Sequence, residues 1–177
     1  MPIQDGALPL PRFDAPPRLL IVSAPYYAEI AAQLLAGARA VLDAFGATHA
    51  LVEVPGALEI GPAIRFAERR FDGFVALGCV LRGETSHYDL VCAESARAIT
   101  LLGVERGACV GNGVLTCETE AQALARADPN GMDKGGGAAA AALHLIALRR
   151  RFAEPSGYEL NEPLVRFAGE PGGGGVA

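Results

Sequence analysis

A short polar segment of the chain carries residue types that enzymes use to bind anions and to move protons. It contains Arg82, Glu84, Thr85 and His87, follows an apolar run at residues 74–80, and precedes a helical pattern. A continuous apolar run of this length predicts a strand buried on both faces of a parallel sheet. Open α/β sheets bind ligands just beyond the carboxyl ends of such strands. The segment is therefore predicted to form a binding site.

The backbone of residues 83–85 suits a phosphate group, because unpaired N–H groups and the helix dipole create an anion site at a helix N-terminus. The alternative is an ordinary helix start, in which Thr85 or Ser86 caps the first turn and Asp89 lies in the capping-box region. Both interpretations can hold together.

His87 is the candidate proton-transfer group among the three histidines of the chain. Its place between strand and helix puts an imidazole, a group suited to taking and returning protons, beside the predicted anion site. The alternative is a solvent-facing loop histidine. His49, beside a strand start, and His144, inside a helical pattern, are predicted to be partly buried structural residues.

The elements that position this segment alternate strictly between strand and helix. Apolar runs predict strands at residues 19–24, 50–54, 74–81 and 108–115, and periodicity predicts helices at residues 30–45, 58–71, 88–102, 118–127 and 137–152. Such alternation implies right-handed crossovers and a parallel sheet covered on both faces. The predicted fold class is α/β, a three-layer αβα sandwich with a four-stranded parallel sheet.

Four loops are predicted to converge at one edge of this sheet: residues 25–27, 55–59, 82–89 and 116–119. They bring together aromatic, acidic, imidazole and hydroxyl groups, a mixture that suits a planar polar ligand. The glycine-rich segments 111–113 and 134–137 fit neither a dinucleotide fingerprint nor a P-loop. Arg126 and Lys134 are interpreted either as solvated charges or as phosphate ligands.

The chain divides into an arm, one domain and a tail. Five prolines deny regular helix to residues 1–17 and predict a flexible or edge-covering N-terminal arm. Residues 18–153 are predicted to form a single α/β domain, and residues 154–177, with four consecutive glycines, a disordered tail. Because the edges of a small sheet need cover, self-association is expected.

Composition argues against several classes of protein. The chain has 177 residues, enough for one core, and a net charge of −5 without a basic face, so no nucleic-acid partner is expected. The cluster Arg149–Arg151 is interpreted as favourable charge at a helix end. Neither a membrane span nor a signal pattern is found, which predicts a cytoplasmic protein. Four cysteines without a CxxC pair predict packed thiols and no metal site, with Cys117 the most open to reactivity.

Three segments give the chain a specific family resemblance. They are VPGALEI at residues 54–60, GCVLRGETSHYD at residues 78–89, and GVLT at residues 113–116 followed by Lys134 and Gly135. The chain resembles the 6,7-dimethyl-8-ribityllumazine synthases, which catalyse the penultimate step of riboflavin synthesis. The resemblance extends over residues 18–152 and leaves out the arm and the glycine tail.

The resemblance implies a flavodoxin-like sheet and a transferase that uses neither a metal nor a cofactor. Its substrates would be 5-amino-6-(ribitylamino)pyrimidinedione and 3,4-dihydroxy-2-butanone 4-phosphate, which condense with loss of phosphate and water. The resemblance also implies a homo-oligomer of pentamers, up to an icosahedral capsid, with active sites shared between neighbouring copies. Riboflavin synthase is a candidate partner.

Roles for individual residues follow from the same resemblance. His87 matches the proton-transfer histidine. The pyrimidine ring and the ribityl chain are expected to contact Tyr26, Ala57, Leu58, Glu59, Leu81, Arg82, Asn112 and Lys134, and the phosphate is expected to contact Gly83, Glu84, Thr85 and Arg126. Asn112, Arg126 and Lys134 would come from the adjacent copy.

Three residues depart from the family pattern. Pro25 and Tyr27 replace the Arg and Asn that commonly flank the stacking aromatic, and Asn112 stands where many members have Phe. These changes leave open a non-catalytic paralogue that binds lumazine or flavin. A flavodoxin-like nucleotide-binding module and a purely structural shell protein are further alternatives.

Overall fold

The fold is an alternation of four strands and five helices in the computed structural model, which describes residues 8–153. The strands are β1 (Arg18–Ser23), β2 (Thr48–Glu53), β3 (Gly73–Leu81) and β4 (Val110–Cys117). The helices are α1 (Ala28–Ala44), α2 (Ala57–Ala67), α3 (His87–Arg106), α4 (Glu120–Ala127) and α5 (Lys134–Ala153). The predicted tail at residues 154–177 lies outside the described residues.

All four strands are parallel and lie in the order β2-β1-β3-β4. The central strands β1 and β3 are buried along most of their length, whereas four of the six residues of the edge strand β2 are exposed and none is buried. The predicted α/β class and the four-stranded parallel sheet are therefore confirmed, and the sheet is of the flavodoxin-like kind. The central strands are also the ones that sequence shows as unbroken apolar runs.

Each face of the sheet has its own hydrophobic core. Successive strand side chains point to opposite faces, so Leu19 and Ile21 pack beneath α1 and α5, while Leu20 and Val22 pack against α2 and α3. The central strands contribute to both cores. These two cores fix the three layers that carry the loops at the carboxyl end of the sheet.

Helix α5 begins at Lys134, three residues before the predicted start. The carboxylate of Asp133 accepts a hydrogen bond of 2.9 Å from the Gly136 amide and so caps the first turn. A Cβ atom on Gly135 would lie 2.0 Å from the Leu34 carbonyl oxygen. The glycines thus belong to the helix, because they allow α5 to approach α1 closely.

The end of the N-terminal arm packs on the domain of its own chain. The Phe13 ring meets the Phe45 ring edge-on, with centroids 5.4 Å apart. Arg150 donates a hydrogen bond of 2.9 Å to the Ala15 carbonyl, and Arg149 donates one of 2.6 Å to the Asp72 carbonyl. The arginine cluster at the end of α5 therefore also links this helix to the N-terminal arm and to the segment just before β3. Within residues 8–153, no helix combines the length and the apolar character that crossing a bilayer requires.

Candidate active site

A cavity of about 400 Å³ opens at the carboxyl end of the sheet. The loops after β1, β2 and β3 line this cavity. The direction in which the chain adds strands to the sheet reverses between the neighbouring strands β1 and β3, so the cavity lies at the topological switch point. Open α/β proteins bind ligands at this position, and the volume is within the range of small-molecule sites. We call this cavity the crevice.

Most of the residues predicted for the site line the crevice. They are Tyr26, Ala57, Leu58, Glu59, Leu81, Gly83, Thr85 and His87. Arg82 and Glu84 belong to the same loop but are not among its lining residues. Tyr27, Cys79, Tyr88 and Val91 line it too and were missed as site residues.

Two tyrosines form the wall that follows β1. Tyr26 is 76 % exposed, and the Tyr27 ring meets its ring edge-on, with centroids 5.0 Å apart. Tyr27 also packs against the core beneath α1, and burial is the main cause that raises the pKa of its hydroxyl. Tyr26 therefore offers an open ring face, held from the side by a residue that is anchored in the core.

The second wall is the start of α2, where the helix presents its first turn to the crevice. Gly56 takes an extended conformation before the helix, and Glu59 lies in the first turn. Pro62 lies inside α2 and has no N–H group, so the Leu58 carbonyl lacks its usual helical donor. The Glu59 carboxylate gives this wall an acceptor suited to hydroxyl groups.

The third wall is the loop from β3 to α3, which ends in a weakly capped helix. The Ser86 side chain makes no capping hydrogen bond, and Thr85 Oγ1 accepts only a long one, 3.4 Å, from the His87 amide. The carboxylate of Asp89 bonds Arg82, so the predicted capping box does not form in full. Backbone amides of the first turn thus remain available for an anion.

Arg82 is bonded to carboxylates on two different elements. Its Nε donates to Glu118 over 2.7 Å and its Nη2 donates to Asp89 over 3.2 Å, and both bonds raise the pKa of the guanidinium. Its Cζ lies 4.1 Å from the centroid of the Tyr88 ring. Of the four loops predicted to converge, the one after β4 therefore contributes through Glu118 and not by lining the crevice.

The crevice of a single chain lacks a cationic side chain. Among the described residues that line it, Glu59 supplies the carboxyl group and His87 the imidazole, and none is a lysine or an arginine. Burial raises the pKa of the Cys79 thiol to about 12, which makes it less able to form a thiolate than an ordinary cysteine. Residues 8–153 contain no cluster of His, Cys, Asp or Glu that could hold a metal ion.

Three predicted site residues lie away from the crevice. Asn112 is exposed on β4, where its side-chain oxygen accepts a 3.0 Å hydrogen bond from the Val114 amide. Arg126 lies in the last turn of α4 and donates to the Gln122 carbonyl, and Lys134 is exposed at the start of α5. None of these three residues lines the crevice of a single copy.

Comparisons with known proteins agree on one family. The family model described as 6,7-dimethyl-8-ribityllumazine synthase matches residues 16–150. The chain is 56 % identical over 155 residues to a protein of that name from Jannaschia sp., covering 86 % of each. It is 57 % identical over 135 residues to one from Methylobacterium radiotolerans, covering 75 % of this chain and 82 % of the relative. Another, from Bartonella bacilliformis, is 51 % identical over 142 residues, which cover 78 % of this chain and 93 % of the relative.

Proposed function

The chain belongs to the 6,7-dimethyl-8-ribityllumazine synthase family, and we propose that its crevice is one half of an active site that a second copy completes. The enzyme is a transferase of riboflavin biosynthesis. It condenses 5-amino-6-(ribitylamino)pyrimidinedione with 3,4-dihydroxy-2-butanone 4-phosphate and releases 6,7-dimethyl-8-ribityllumazine, phosphate and water.

The pyrimidine ring is proposed to stack on Tyr26, whose open face meets the crevice. The backbones of Leu81 and Arg82 at the end of β3 would hydrogen-bond the polar edge of the ring. An aromatic face beside backbone donors and acceptors provides both stacking and orientation for a flat polar heterocycle.

The ribityl chain is proposed to lie along the first turn of α2, formed by Ala57, Leu58 and Glu59. The Glu59 carboxylate would accept hydrogen bonds from ribityl hydroxyls, and unpaired backbone amides at the start of α2 would donate to hydroxyl oxygens. A polyol both donates and accepts hydrogen bonds, so this wall matches its chemistry.

The phosphate is proposed to bind the backbone amides of Gly83, Glu84 and Thr85 at the start of α3, next to His87. The observation that carries the shared-site proposal is the lack of a lysine or arginine among the described lining residues. A phosphate dianion needs cationic partners in a partly desolvated site. Arg126 and Lys134, with Asn112 nearby, would reach the crevice from a neighbouring copy.

In the proposed mechanism the 5-amino group attacks the ketone and water leaves to form an imine. Loss of a proton from the neighbouring carbon then expels phosphate and leaves an enol, which tautomerises to a ketone. The ribityl-bearing nitrogen attacks this carbonyl and closes the ring with loss of a second water. Holding two reactants in register can supply ~7–11 kcal/mol, whereas proton transfer by His87 would add ~10²–10⁴-fold. Arg126 and the loop amides would stabilise charge on the departing phosphate. Positioning is thus the larger contribution.

The assembly that the shared site requires is proposed to be a pentamer or a larger shell built from pentamers. The edge strand β2 has no buried residue in the single chain, which supports cover by another copy. A cytoplasmic location and an association with riboflavin synthase are proposed from family membership.

The deciding experiment mixes the two purified substrates with the protein and follows product absorbance, with size-exclusion chromatography and light scattering on the same sample. A rate of product formation equal to that without the protein would refute the proposed activity. The shared site is tested by refolding His87→Ala and Arg126→Ala chains together, since random mixing makes about a quarter of the sites intact in both residues. Failure of the mixture to exceed both parents would refute sharing.

A further inference from the structure

We propose that Arg82 is a positioning residue whose guanidinium holds the loop at residues 83–87 in its binding conformation. This inference rests on the proposed function. It goes beyond the backbone contact expected of Arg82, because here the side chain acts on the loop and not on the substrate.

Arg82 joins the ends of β3 and β4 to the first turn of α3. The Arg82 amide donates to the Cys117 carbonyl over 3.0 Å, which fixes its backbone to the end of β4. The side chain then bonds Glu118, after β4, over 2.7 Å and Asp89, in the first turn of α3, over 3.2 Å. Arg82, before the loop, and Asp89, after it, are thereby tied to each other and to the end of β4. We call the side chains of Arg82, Asp89 and Glu118 the Arg82 clasp.

The clasp also reaches the crevice wall through Tyr88. The guanidinium carbon of Arg82 lies 4.1 Å from the Tyr88 ring centroid, and Tyr88 lines the crevice. A cation over an aromatic face at this distance is attractive. The same arginine therefore fixes both the start of α3 and the ring that follows His87.

The loop has little else to hold it at the helix start. Ser86 provides no side-chain cap, and the bond from the His87 amide to Thr85 is long, at 3.4 Å. Without Arg82, the carboxylates of Asp89 and Glu118 would also face a bound phosphate without a counter-charge. Loss of the clasp is thus expected to weaken phosphate binding by mobility and by repulsion.

The geometry argues against Arg82 as a direct phosphate ligand. Three of its five N–H groups already serve two carboxylates, and its side chain is not among those lining the crevice. The two roles make opposite predictions for Asp89→Asn. A positioning role predicts weaker binding of the phosphorylated substrate, whereas a direct ligand would be released from its partner and bind phosphate more tightly.

The experiment compares Arg82→Gln, Arg82→Lys and Asp89→Asn with Arg97→Gln, a control on the same helix that removes an exposed ion pair with Glu94. Arg82→Gln should raise the KM for the butanone phosphate about 10-fold to 100-fold, and Asp89→Asn should raise it less, because that variant frees the loop but also removes a negative charge. Both should leave the KM for the pyrimidinedione within about 2-fold. Arg82→Lys should recover part of the loss, and Arg97→Gln should match the wild type. Tighter phosphate binding in Asp89→Asn, or an Arg82→Gln variant altered only in Tm, would overturn the proposal.

Hydrogen exchange provides a readout that does not depend on turnover. Arg82→Gln should speed exchange of the amides at residues 83–90, and Arg97→Gln should not. Unchanged exchange in Arg82→Gln would refute the clasp even if the wild type were inactive. An inactive wild type with the expected exchange would instead refute the proposed function alone.

Discussion

Replacing His87 with alanine separates chemistry from binding in this site. The side chain lines the crevice and is exposed at the start of α3. Exposed substitutions away from caps and cores change stability by about 0.5 kcal/mol or less. The fold and the walls around Tyr26 and Glu59 should therefore survive, so that a loss of rate reports on proton transfer.

The expected loss in kcat is ~10²–10⁴-fold, which corresponds to ~2.7–5.4 kcal/mol of activation free energy at about 1.4 kcal/mol per factor of ten. Positioning of the two substrates, at ~7–11 kcal/mol, remains in the variant. His87→Ala should therefore stay well above the uncatalysed rate, with KM values close to those of the wild type.

The assay follows lumazine absorbance in single-turnover and steady-state experiments, with Tm measured on the same preparations. His49→Ala is the matched control, because His49 pairs with Asp43 near the start of β2, at the opposite end of the sheet. A His87→Ala enzyme with wild-type kcat would refute the proton-transfer role. A variant reduced to the uncatalysed rate would refute the larger share assigned to positioning.

Three further predictions concern charge, packing and pH. Arg126→Ala should raise the KM for the butanone phosphate more than it lowers kcat, in initial-rate measurements with each substrate varied; a pure kcat effect would contradict phosphate binding. Gly135→Ala should lower the free energy of unfolding by ~1–3 kcal/mol in urea titrations, because its Cβ would meet the Leu34 carbonyl; Gly137→Ala, with open space around its Cβ, is the control. Because burial raises the pKa of Cys79 from 9.0 to about 12, the folded state keeps a proton that the unfolded chain loses. The stability that Cys79 contributes is complete below about pH 9 and is lost as pH rises towards about 12. The free energy of unfolding should therefore fall less over this range in Cys79→Ala than in the wild type, and an equal fall would contradict the raised pKa.

The order of elements and most of the crevice could be predicted from sequence. Buried parallel strands produce apolar runs, and the segments after them, such as the one holding Thr85 and His87, must meet at one edge of the sheet. Family motifs then added Tyr26 and Glu59, which line the crevice as expected. Local pattern and topology located the loops of the crevice, and the family resemblance selected residues within them.

Features that depend on distant contacts could not be predicted in the same way. Arg82 and Glu118 are 36 residues apart, and no local pattern pairs them. The start of α5 was misplaced because consecutive glycines indicate a break in a helix, while here Gly135 is needed for close contact with Leu34. Cys79 was assigned to the packed thiols, although one side of it also faces the crevice.

The position of the crevice between the two cores links substrate occupancy to the cooperativity of unfolding. Tyr27 packs on the core beneath α1, Val91 belongs to the core beneath α3, and both line the cavity. A ligand touching both side chains would add a direct bridge between layers that pack on opposite faces of the sheet. Since a ligand that binds only the native state stabilises it by RT ln(1 + [L]/Kd), saturation should make the two layers melt as one unit, with a sharper transition than in the empty protein.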